Sequence, residues 1–276
     1  MIGNWLLLVT KGQKAEYEIL QIAHRLEKGL TNEHPKSLWG WKKANRLAFL
    51  IKGCSNHFVS ATGTAVLLAY LGNKKQSQDL VERKKAESME KSLCYTKIND
   101  KGGVDNVLKE CILFDQTEKK ICERLFYSRH SVRDFANEEV KREDIEAAIQ
   151  LAQRAPSACN RQPTGIYVLQ ENCKQSLFLT CDVQAFCVGE FNDWIVSTSI
   201  YAAYLSLSLH LYGIGSCIIR KPLYKKLEFL RAKLMIPNNE KIIIELKIGY
   251  YKDTFKAAVS NRISSYDVIR NIVKAE

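Results

Sequence analysis

The stretch EAAIQLAQRAPSACNRQPTGIYVLQ, residues 146–170, decides the fold because it holds a helix signal, a polar loop and a strand signal in direct succession. Apolar residues between Val140 and Ala152 recur at helical spacing and predict a helix over about 142–154. The run GIYVLQ (165–170) predicts a strand. The loop APSACNRQPTG (155–165) is polar and stiffened by two prolines, so it is a candidate for catalysis or for clamping a ligand.

The sequence downstream of this stretch continues to mix helices and strands. We expect an uncharged helix over 195–212, a turn at GIGSC (213–217), a helix near 222–234 and a central strand at KIIIELKIGY (241–250). These elements do not alternate in strict βαβ order. The pattern therefore predicts an α+β fold.

The sequence upstream is helical in character. It contains an amphipathic stretch (15–30), an apolar stretch (58–72) and a charged stretch that fits a solvated helix (73–92), with Trp39 and Trp41 as expected anchors. The loop NDKGGVDN (99–106) is the best candidate boundary. We predict a helical N-terminal extension over 1–118, to which the sequence assigns no chemistry, and a second domain over 119–276.

Composition places the chain in the ordinary globular class. The 276 residues are 46% hydrophobic, with 14 glycines and 5 prolines, which excludes disordered and collagen-like chains. The net charge is +11, and most of this excess lies in residues 1–120. A basic balance favours anionic partners such as a phosphorylated cofactor, nucleic acid or an acidic membrane surface. Nucleic acid is disfavoured because no zinc-finger spacing, arginine run or RNA-binding motif is present.

The nine cysteines are scattered singly, without a CxxC pair or a histidine at metal-ligand spacing, so we expect reduced thiols and no metal site. The opening MIGNWLLLV lacks the features of a signal peptide, which predicts a cytoplasmic protein. The uncharged segment 195–219 is interrupted by serines and glycines. We therefore expect a helix buried on all sides in the protein core rather than a membrane span.

The segment YSRHSVRDF (127–135) carries a candidate anion site. If the chain is extended here, Arg129, Ser131 and Arg133 project to one side, where two guanidinium groups and a hydroxyl suit a phosphate or another dianion. An RxSxR run by itself is also common in exposed loops. Whether this run is an anion site therefore depends on the other motifs in the sequence.

The combination of motifs resembles the flavin-dependent nitroreductase family. The motifs follow in the family's order over roughly residues 119–276: RHSVR (129–133), PSACNRQP (156–163), YGIGSC (212–217), IGYYKD (248–253) and SNRISSYDVI (260–269). The resemblance implies a central mixed or antiparallel sheet flanked by helices and a homodimer with FMN at its interface. It further implies that NADH or NADPH is the reductant.

The resemblance also implies site residues. By analogy, Arg129 and Arg262 contact the FMN phosphate, and Ser131 with its neighbour His130 lies at the ribityl or phosphate region. Arg133 would lie near the flavin N1/O2 edge, where a cation stabilises the charge of the reduced ring. The flavin itself is expected to perform the chemistry, with no catalytic side chain.

Two further groups of residues follow from the same resemblance. The loop is expected to reach the flavin of the opposite subunit through Pro156, Ser157, Ala158 and Asn160. The turn is expected to bring backbone amides close to flavin N5 and O4 through Gly213, Gly215 and Ser216, since glycine has no Cβ.

The chain departs from the family pattern at Ser197, at Ala203-Tyr204 and at Ser260. These changes bear on substrate choice and phosphate affinity. Cys159 is an alternative nucleophile, but a nucleophilic cysteine needs a base, and the loop supplies no obvious one, so core filler is the better interpretation. His130, His210 and the stretch HRLEKGL (24–30) are most simply structural or solvated features.

The predicted function is that of an FMN-dependent oxidoreductase. Hydride would pass from NADH or NADPH through FMN to a small electron-poor substrate such as a nitroaromatic, a quinone or a pathway metabolite. Two alternatives stay open at this stage. One is a flavin-dependent oxidase or dehydrogenase of a biosynthetic pathway, and the other is a flavin-binding protein with reduced turnover.

Overall fold

The computed structural model describes residues 13–32, 38–93, 102–219 and 224–273. The predicted opening segment MIGNWLLLV and part of the predicted boundary loop 99–106 lie outside these ranges. The helices are α1 (Ala15–Leu30), α2 (Trp41–Lys52), α3 (His57–Lys75), α4 (Leu80–Lys91), α5 (Gln116–Ser128), α6 (Arg142–Ala152), α7 (Asp193–Leu211), α8 (Tyr224–Lys233) and α9 (Ser265–Val268). The strands are β1 (Thr164–Glu171), β2 (Lys174–Asp182), β3 (Ile214–Ile219) and β4 (Glu240–Tyr250). The predicted α+β class is confirmed.

The four strands form one antiparallel sheet in the order β1-β2-β4-β3. β4 lies between β2 and β3, which agrees with the prediction that its isoleucine run is a central strand. The sequence did not suggest β2, which pairs with β1 across a short hairpin turn. The predicted turn at 213–217 is wrong for most of its length, because Ile214 to Ile219 pair with β4 as strand β3. Gly213, with φ of +74°, makes the turn that precedes this strand.

Two hydrophobic cores hold the chain together. In the C-terminal part, α6 and α7 cover one face of the sheet, and Leu177, Leu205 and Leu246 are fully buried between them. In the N-terminal part, α1 to α4 enclose a second core around Leu26, Leu47 and Tyr70. Each core has the amphipathic helices that the sequence pattern predicts.

The two predicted anchors lie in the N-terminal core. The rings of Trp39 and Trp41 meet the ring of Tyr70 edge to face, at centroid distances of 5.2 and 5.7 Å. The charged helix α4 is largely solvated as expected, but its Glu82 is buried and pairs with Lys74 of α3 at 2.8 Å. This ion pair fixes α4 against the rest of the helical region.

The expectation that α7 is buried on all sides is wrong. One side, with Tyr201, Leu205 and Leu209, lies in the core. The opposite side is apolar and exposed. Its exposed large side chains are Ile195 (41%), Val196 (50%), Tyr204 (42%) and Leu211 (55%). The low charge of α7 therefore reflects two apolar faces, of which this chain covers one.

Helix α5 lies next to α7 and has no buried residue, although Ile121, Phe126 and Tyr127 form part of its surface. A capping box at Asp115 and Glu118 starts the helix, so its position in the sequence is well specified. Among the described helices, none is both long and apolar enough to cross a membrane.

Candidate functional site

The segment YSRHSVRDF (127–135), called the arginine segment below, runs beside β3, an edge strand of the sheet. Ser131 forms a parallel bridge with Ser216 of β3, and the Val132 amide donates to the Ser216 carbonyl at 3.0 Å. The Val132 side chain is fully buried. Because side chains alternate in an extended segment, burial of Val132 turns Ser131 and Arg133 to the opposite side. The segment thus has the extended conformation that the RxSxR interpretation requires.

Two glycines allow this approach. Gly213 takes the left-handed conformation that ends α7 and starts β3. A Cβ on Gly215 would lie 3.1 Å from the Val132 Cβ, so a larger residue fits only if its neighbours shift by a few tenths of an ångström. Ser216, the next residue, is buried at the bridge.

A chain of hydrogen bonds joins three elements at this end of α7. The Ser128 hydroxyl donates to the Arg124 carbonyl at 2.6 Å, so its oxygen is left to accept from His210 Nε2 at 2.8 Å. His210 Nδ1 then accepts from the Tyr251 hydroxyl at 2.8 Å. A neutral imidazole with its proton on Nε2 fits this pattern. Burial, together with the charges of Arg129 and His130, lowers the pKa of His210 and favours the same neutral form.

The cations of the segment are open to an anion. Within the described residues, no carboxylate forms an ion pair with Arg129 or Arg133. The adjacent Asp134 pairs instead with Lys252, at 2.5 Å. Arg133 Nη1 donates to the Ser131 carbonyl at 3.4 Å. Guanidinium groups without a protein counter-ion, next to a serine and a histidine, form a donor set suited to a phosphate.

The proline–serine loop, residues 155–163, lies near the other end of α7. The Ala158 amide donates to Ser197 Oγ of α7 at 3.3 Å, which gives the unusual Ser197 a contact with the loop. Within the loop, Ser157 accepts from the Asn160 amide through its carbonyl and from the Gln162 amide through its hydroxyl, both at 3.0 Å. These bonds fold the loop back on itself. Pro156 and Asn160 are left exposed.

Arg161 is the important loop residue that sequence reasoning missed. Its side chain is 1% exposed, and its guanidinium donates to both carboxylate oxygens of Glu190 at 2.7 and 2.8 Å. It also stacks over the ring of Phe186, with 4.6 Å between Arg161 Cζ and the ring centroid. Hydrogen bonding from Arg161 lowers the pKa of Glu190. No sequence signal separates this buried arginine from the exposed arginine that a polar loop usually contains.

A small pocket lies behind the loop and is lined by neutral groups of the loop, β1 and α7. They include Ser157, Gln162, Thr164, Ser197 and Tyr201. The Tyr201 hydroxyl is buried without a hydrogen-bond partner in the described part of the chain. For Cys159, no hydrogen bond joins the thiol to a histidine or a carboxylate among the same residues. Cys159 is half-buried, and its interpretation as a bystander stays a prediction.

The predicted site residues form two groups that one chain does not bring together. His210, which contacts the arginine segment, and Ser197, which contacts the loop, are thirteen residues apart on α7. At a rise of 1.5 Å per residue the two groups are separated by roughly 20 Å along the helix. Arg262 lies in the exposed C-terminal segment, where its guanidinium donates to the carbonyl of Ser260 at 2.6 Å. Each group makes its own contact with α7, and the hydrogen bond of Arg262 to Ser260 joins it to neither group.

Known proteins similar to this chain agree with the motifs. Residues 127–182 match the model of the Nitroreductase family, and this range includes both RHSVR and PSACNRQP. A curated relative from Archaeoglobus fulgidus, named "Putative NADH dehydrogenase/NAD(P)H nitroreductase", is 25% identical over 151 residues, which are 48% of this chain and 86% of the relative.

Two solved structures extend the comparison. A nitroreductase family protein from Streptococcus pneumoniae TIGR4 is 20% identical with a TM-score of 0.47, and the match covers 55% of this chain and 100% of that one. An FMN-dependent nitroreductase from Clostridium difficile R20291 is 22% identical with a TM-score of 0.42, covering 55% and 98% of the two chains. The resemblance to nitroreductases predicted from the motifs is confirmed by the family match and the curated relative.

Proposed function

We propose that this chain, whose residues 127–182 match the nitroreductase family, is an FMN-dependent oxidoreductase. It would take hydride from NADH or NADPH and pass it to a small electron-poor substrate such as a nitroaromatic, a quinone or a pathway metabolite. The observation that carries the proposal is the arginine segment. Arg129 and Arg133 lack carboxylate partners among the described residues, next to the Ser131–Ser216 bridge. Such a donor set suits an anion such as phosphate.

The donor set of the arginine segment suits the phosphate of FMN. Arg129 and Arg262 would hold the phosphate, with His130 and Ser131 beside it. The backbone from Gly213 to Ser216 would lie against the ring. When bound, FMN supplies a ring that accepts and donates hydride. Arg133 would stabilise negative charge on the reduced ring, and the neutral His210 would hold Tyr251 and the end of α5 in place behind Arg129.

The proposed homodimer explains why the site is split. The loop and the arginine segment are about 20 Å apart along α7, so the loop of one subunit would serve the flavin of the other. The exposed apolar surfaces of α5 and α7 supply an interface. In such a dimer Pro156, Ser157, Ala158 and Asn160 would complete a site that a monomer lacks. We further propose a cytoplasmic protein, which the absence of disulfides among the eight described cysteines supports.

The first test is flavin binding and reduction. The purified protein should be yellow with about one FMN per chain, and anaerobic NADH or NADPH should bleach it. Arg129→Ala should lower FMN affinity by roughly 10- to 150-fold, since a hydrogen bond to a charged group contributes about 1.5–3 kcal/mol. Arg142→Ala, which removes an exposed arginine of α6, is the matched control and should leave affinity unchanged.

Each outcome is informative. A colourless protein with no affinity for FMN refutes the proposal. A second outcome is flavin that binds without being reduced by NADH or NADPH. In that case, reduction by another substrate favours the oxidase or dehydrogenase alternative. If no substrate reduces the flavin, the binding-protein alternative is favoured.

The second test uses mixed dimers. Arg129→Ala should disable the phosphate site, and Asn160→Trp should block the exposed face of the loop. At an FMN concentration that saturates the wild type but not the Arg129→Ala variant, each variant alone should be inactive. After equimolar subunit exchange, half of the dimers are mixed and one site in each is intact, so about one quarter of the wild-type activity should return. No recovery, with subunit exchange verified by mass, would show that the loop does not act across the interface.

A further inference from the structure

We propose that Arg161 is the positioning residue of the proline–serine loop and that α1 of the N-terminal region braces this residue from outside. The helical extension would thus support the flavin site of the neighbouring subunit. The catalytic consequence rests on the proposed function. The brace itself does not, because it is argued from contacts within one chain.

The loop has a conformation that needs external support. Cys159, Asn160 and Gln162 all have left-handed backbones, with φ of 51°, 52° and 50°. Side chains other than glycine adopt this conformation at an energetic cost, and asparagine tolerates it best. Three such residues within four positions persist only when the surrounding structure determines the loop. The loop's own hydrogen bonds to Ser157 are few, so the main support must come from elsewhere.

Arg161 provides that support from inside. It lies between the left-handed Asn160 and Gln162, and its Nε donates back to the Ala158 carbonyl at 3.0 Å. Nη1 donates to the Ala185 carbonyl at 2.7 Å. Nη1 and Nη2 together form a two-pronged fork that binds the Glu190 carboxylate. One planar group thus joins the loop to the segment between β2 and α7. Since Arg161 is buried while the adjacent Asn160 is exposed, Arg161 acts on the loop rather than on a ligand.

The N-terminal region contacts the same Ala185 carbonyl that accepts from Arg161. Gln13 Nε2 donates to the Ala185 carbonyl at 2.8 Å, so this oxygen accepts from Gln13 and from Arg161 together. The Lys14 amide donates to the carbonyl of Gln184 at 3.1 Å. The carbonyl that anchors Arg161 is therefore held by the start of α1 as well.

A second contact lies one turn further along α1. Asp182, at the end of β2, is 6% exposed, and it accepts from Lys14 Nζ at 2.7 Å and from the Tyr17 hydroxyl at 3.1 Å. The Tyr17 ring packs with Ala158 of the loop against a buried cluster that includes Phe186. Phe186 is also the ring over which Arg161 stacks. The helix, the loop and the arginine share one packing unit.

The experiment measures loop opening in the flavin-free, full-length protein. Hydrogen exchange read by mass spectrometry reports the amides of Ala158, Asn160 and Gln162, which are bonded in the closed loop. Arg161→Met should accelerate their exchange at least about tenfold. Arg161→Lys keeps the charge but loses the fork, and it should restore only part of the protection.

Tyr17→Phe tests the brace from α1, and it should accelerate the same amides by roughly threefold to tenfold, the effect of one hydrogen bond. The matched control is Arg46→Met. It breaks a bidentate ion pair with Glu18 of α1 at 2.8 Å that faces α2 instead of the loop, and it should not change loop exchange. If Arg161→Met does not fold, Arg161→Lys and Tyr17→Phe decide the question. Unchanged loop exchange in both would overturn the proposal.

A functional measurement completes the test. In FMN-loaded enzyme, Arg161→Lys and Tyr17→Phe should lower kcat while the KM for the nicotinamide changes little, because the loop serves the partner's ring rather than the nicotinamide. Equal losses in the Arg46→Met control would overturn a positioning role. If wild-type protein binds no FMN while the variants open the loop, the proposed function fails and the brace stands. If wild type binds FMN and the variants leave loop exchange unchanged, the brace fails alone.

Discussion

Replacing Glu190 by glutamine should destabilise the protein by about 2–3 kcal/mol. Removing one partner of a buried ion pair usually costs about 3–5 kcal/mol, because the other charge is left in a low-dielectric environment. Here the Arg161 side chain is fully buried, but that of Glu190 is 24% exposed. Water can reach part of the pair, and the Ala158 and Ala185 carbonyls still accept from Arg161 in the variant. These two facts place the expected cost below the usual range.

Urea unfolding monitored by circular dichroism measures this change. The midpoint should fall while the m-value stays constant, since Glu190→Gln alters a contact and not the surface exposed on unfolding. The matched control is Glu146→Gln, which removes the acid of an exposed pair with Arg142 and should change stability by less than about 1 kcal/mol. A cost below about 1 kcal/mol for Glu190→Gln would refute the argument that this pair holds the loop.

The pH dependence gives a further check on the same variant. Hydrogen bonding from Arg161 holds the pKa of Glu190 below its ordinary value of about 4.3. A carboxyl group with a depressed pKa contributes stability that is fully present above its unfolded pKa and is lost as the pH falls through the folded value. The difference between wild type and Glu190→Gln should therefore be constant near neutral pH and shrink below about pH 4. A difference that persists unchanged at pH 3 would show that charge is not the cause.

Four other changes have defined outcomes. Arg262→Ala should weaken FMN retention by roughly 10- to 150-fold, measured by fluorescence titration, and unchanged affinity would remove it from the phosphate site. Tyr201→Phe should leave stability unchanged or raise it by about 1 kcal/mol in urea unfolding, because the hydroxyl is buried without a partner in the described chain; a loss of more than about 1 kcal/mol would contradict this. Cys159→Ala should keep turnover within about twofold, whereas a flavin-loaded but inactive variant would restore the nucleophile hypothesis. His210 has a lowered pKa from burial and the charges of Arg129 and His130, so the wild type should lose stability as pH falls below about 6.5, and His210→Asn should lose less between pH 7.5 and 5.5 in urea unfolding; equal losses would exclude His210 as the cause.

The local patterns predicted the helices well because their signals are short-range. The predicted helices at 15–30 and 142–154 correspond to α1 and α6, and the isoleucine run of β4 marked the central strand. Strand β2 was missed because its sequence, KQSLFLTCD, mixes polar and apolar residues without clear alternation. The turn at 213–217 was overextended, because pairing with β4 is a long-range contact that the local glycines do not reveal.

The conformation of the arginine segment could be predicted, because the alternation of Arg129, Ser131 and Arg133 in an extended chain is a local rule. Arg161 could not, since its importance comes from Glu190, Phe186 and Ala185, which follow it by more than twenty residues. The exposed face of α7 could not be predicted either. The lack of charged residues in this helix predicted burial, but it does not reveal which surface covers the second apolar face. The roles of the twelve predicted cofactor-contacting residues stay predictions.

The contact between Asp182 and the start of α1 matters for anyone who wishes to shorten this protein. A chain cut at the predicted boundary near residue 118 would keep every motif that resembles the nitroreductase family, yet it would leave the Asp182 carboxylate without Lys14 and Tyr17 and uncover the Phe186 cluster. We therefore expect that dividing the molecule where the sequence changes character would weaken the C-terminal part. Gene fusions and shortened versions of the protein should begin before Gln13.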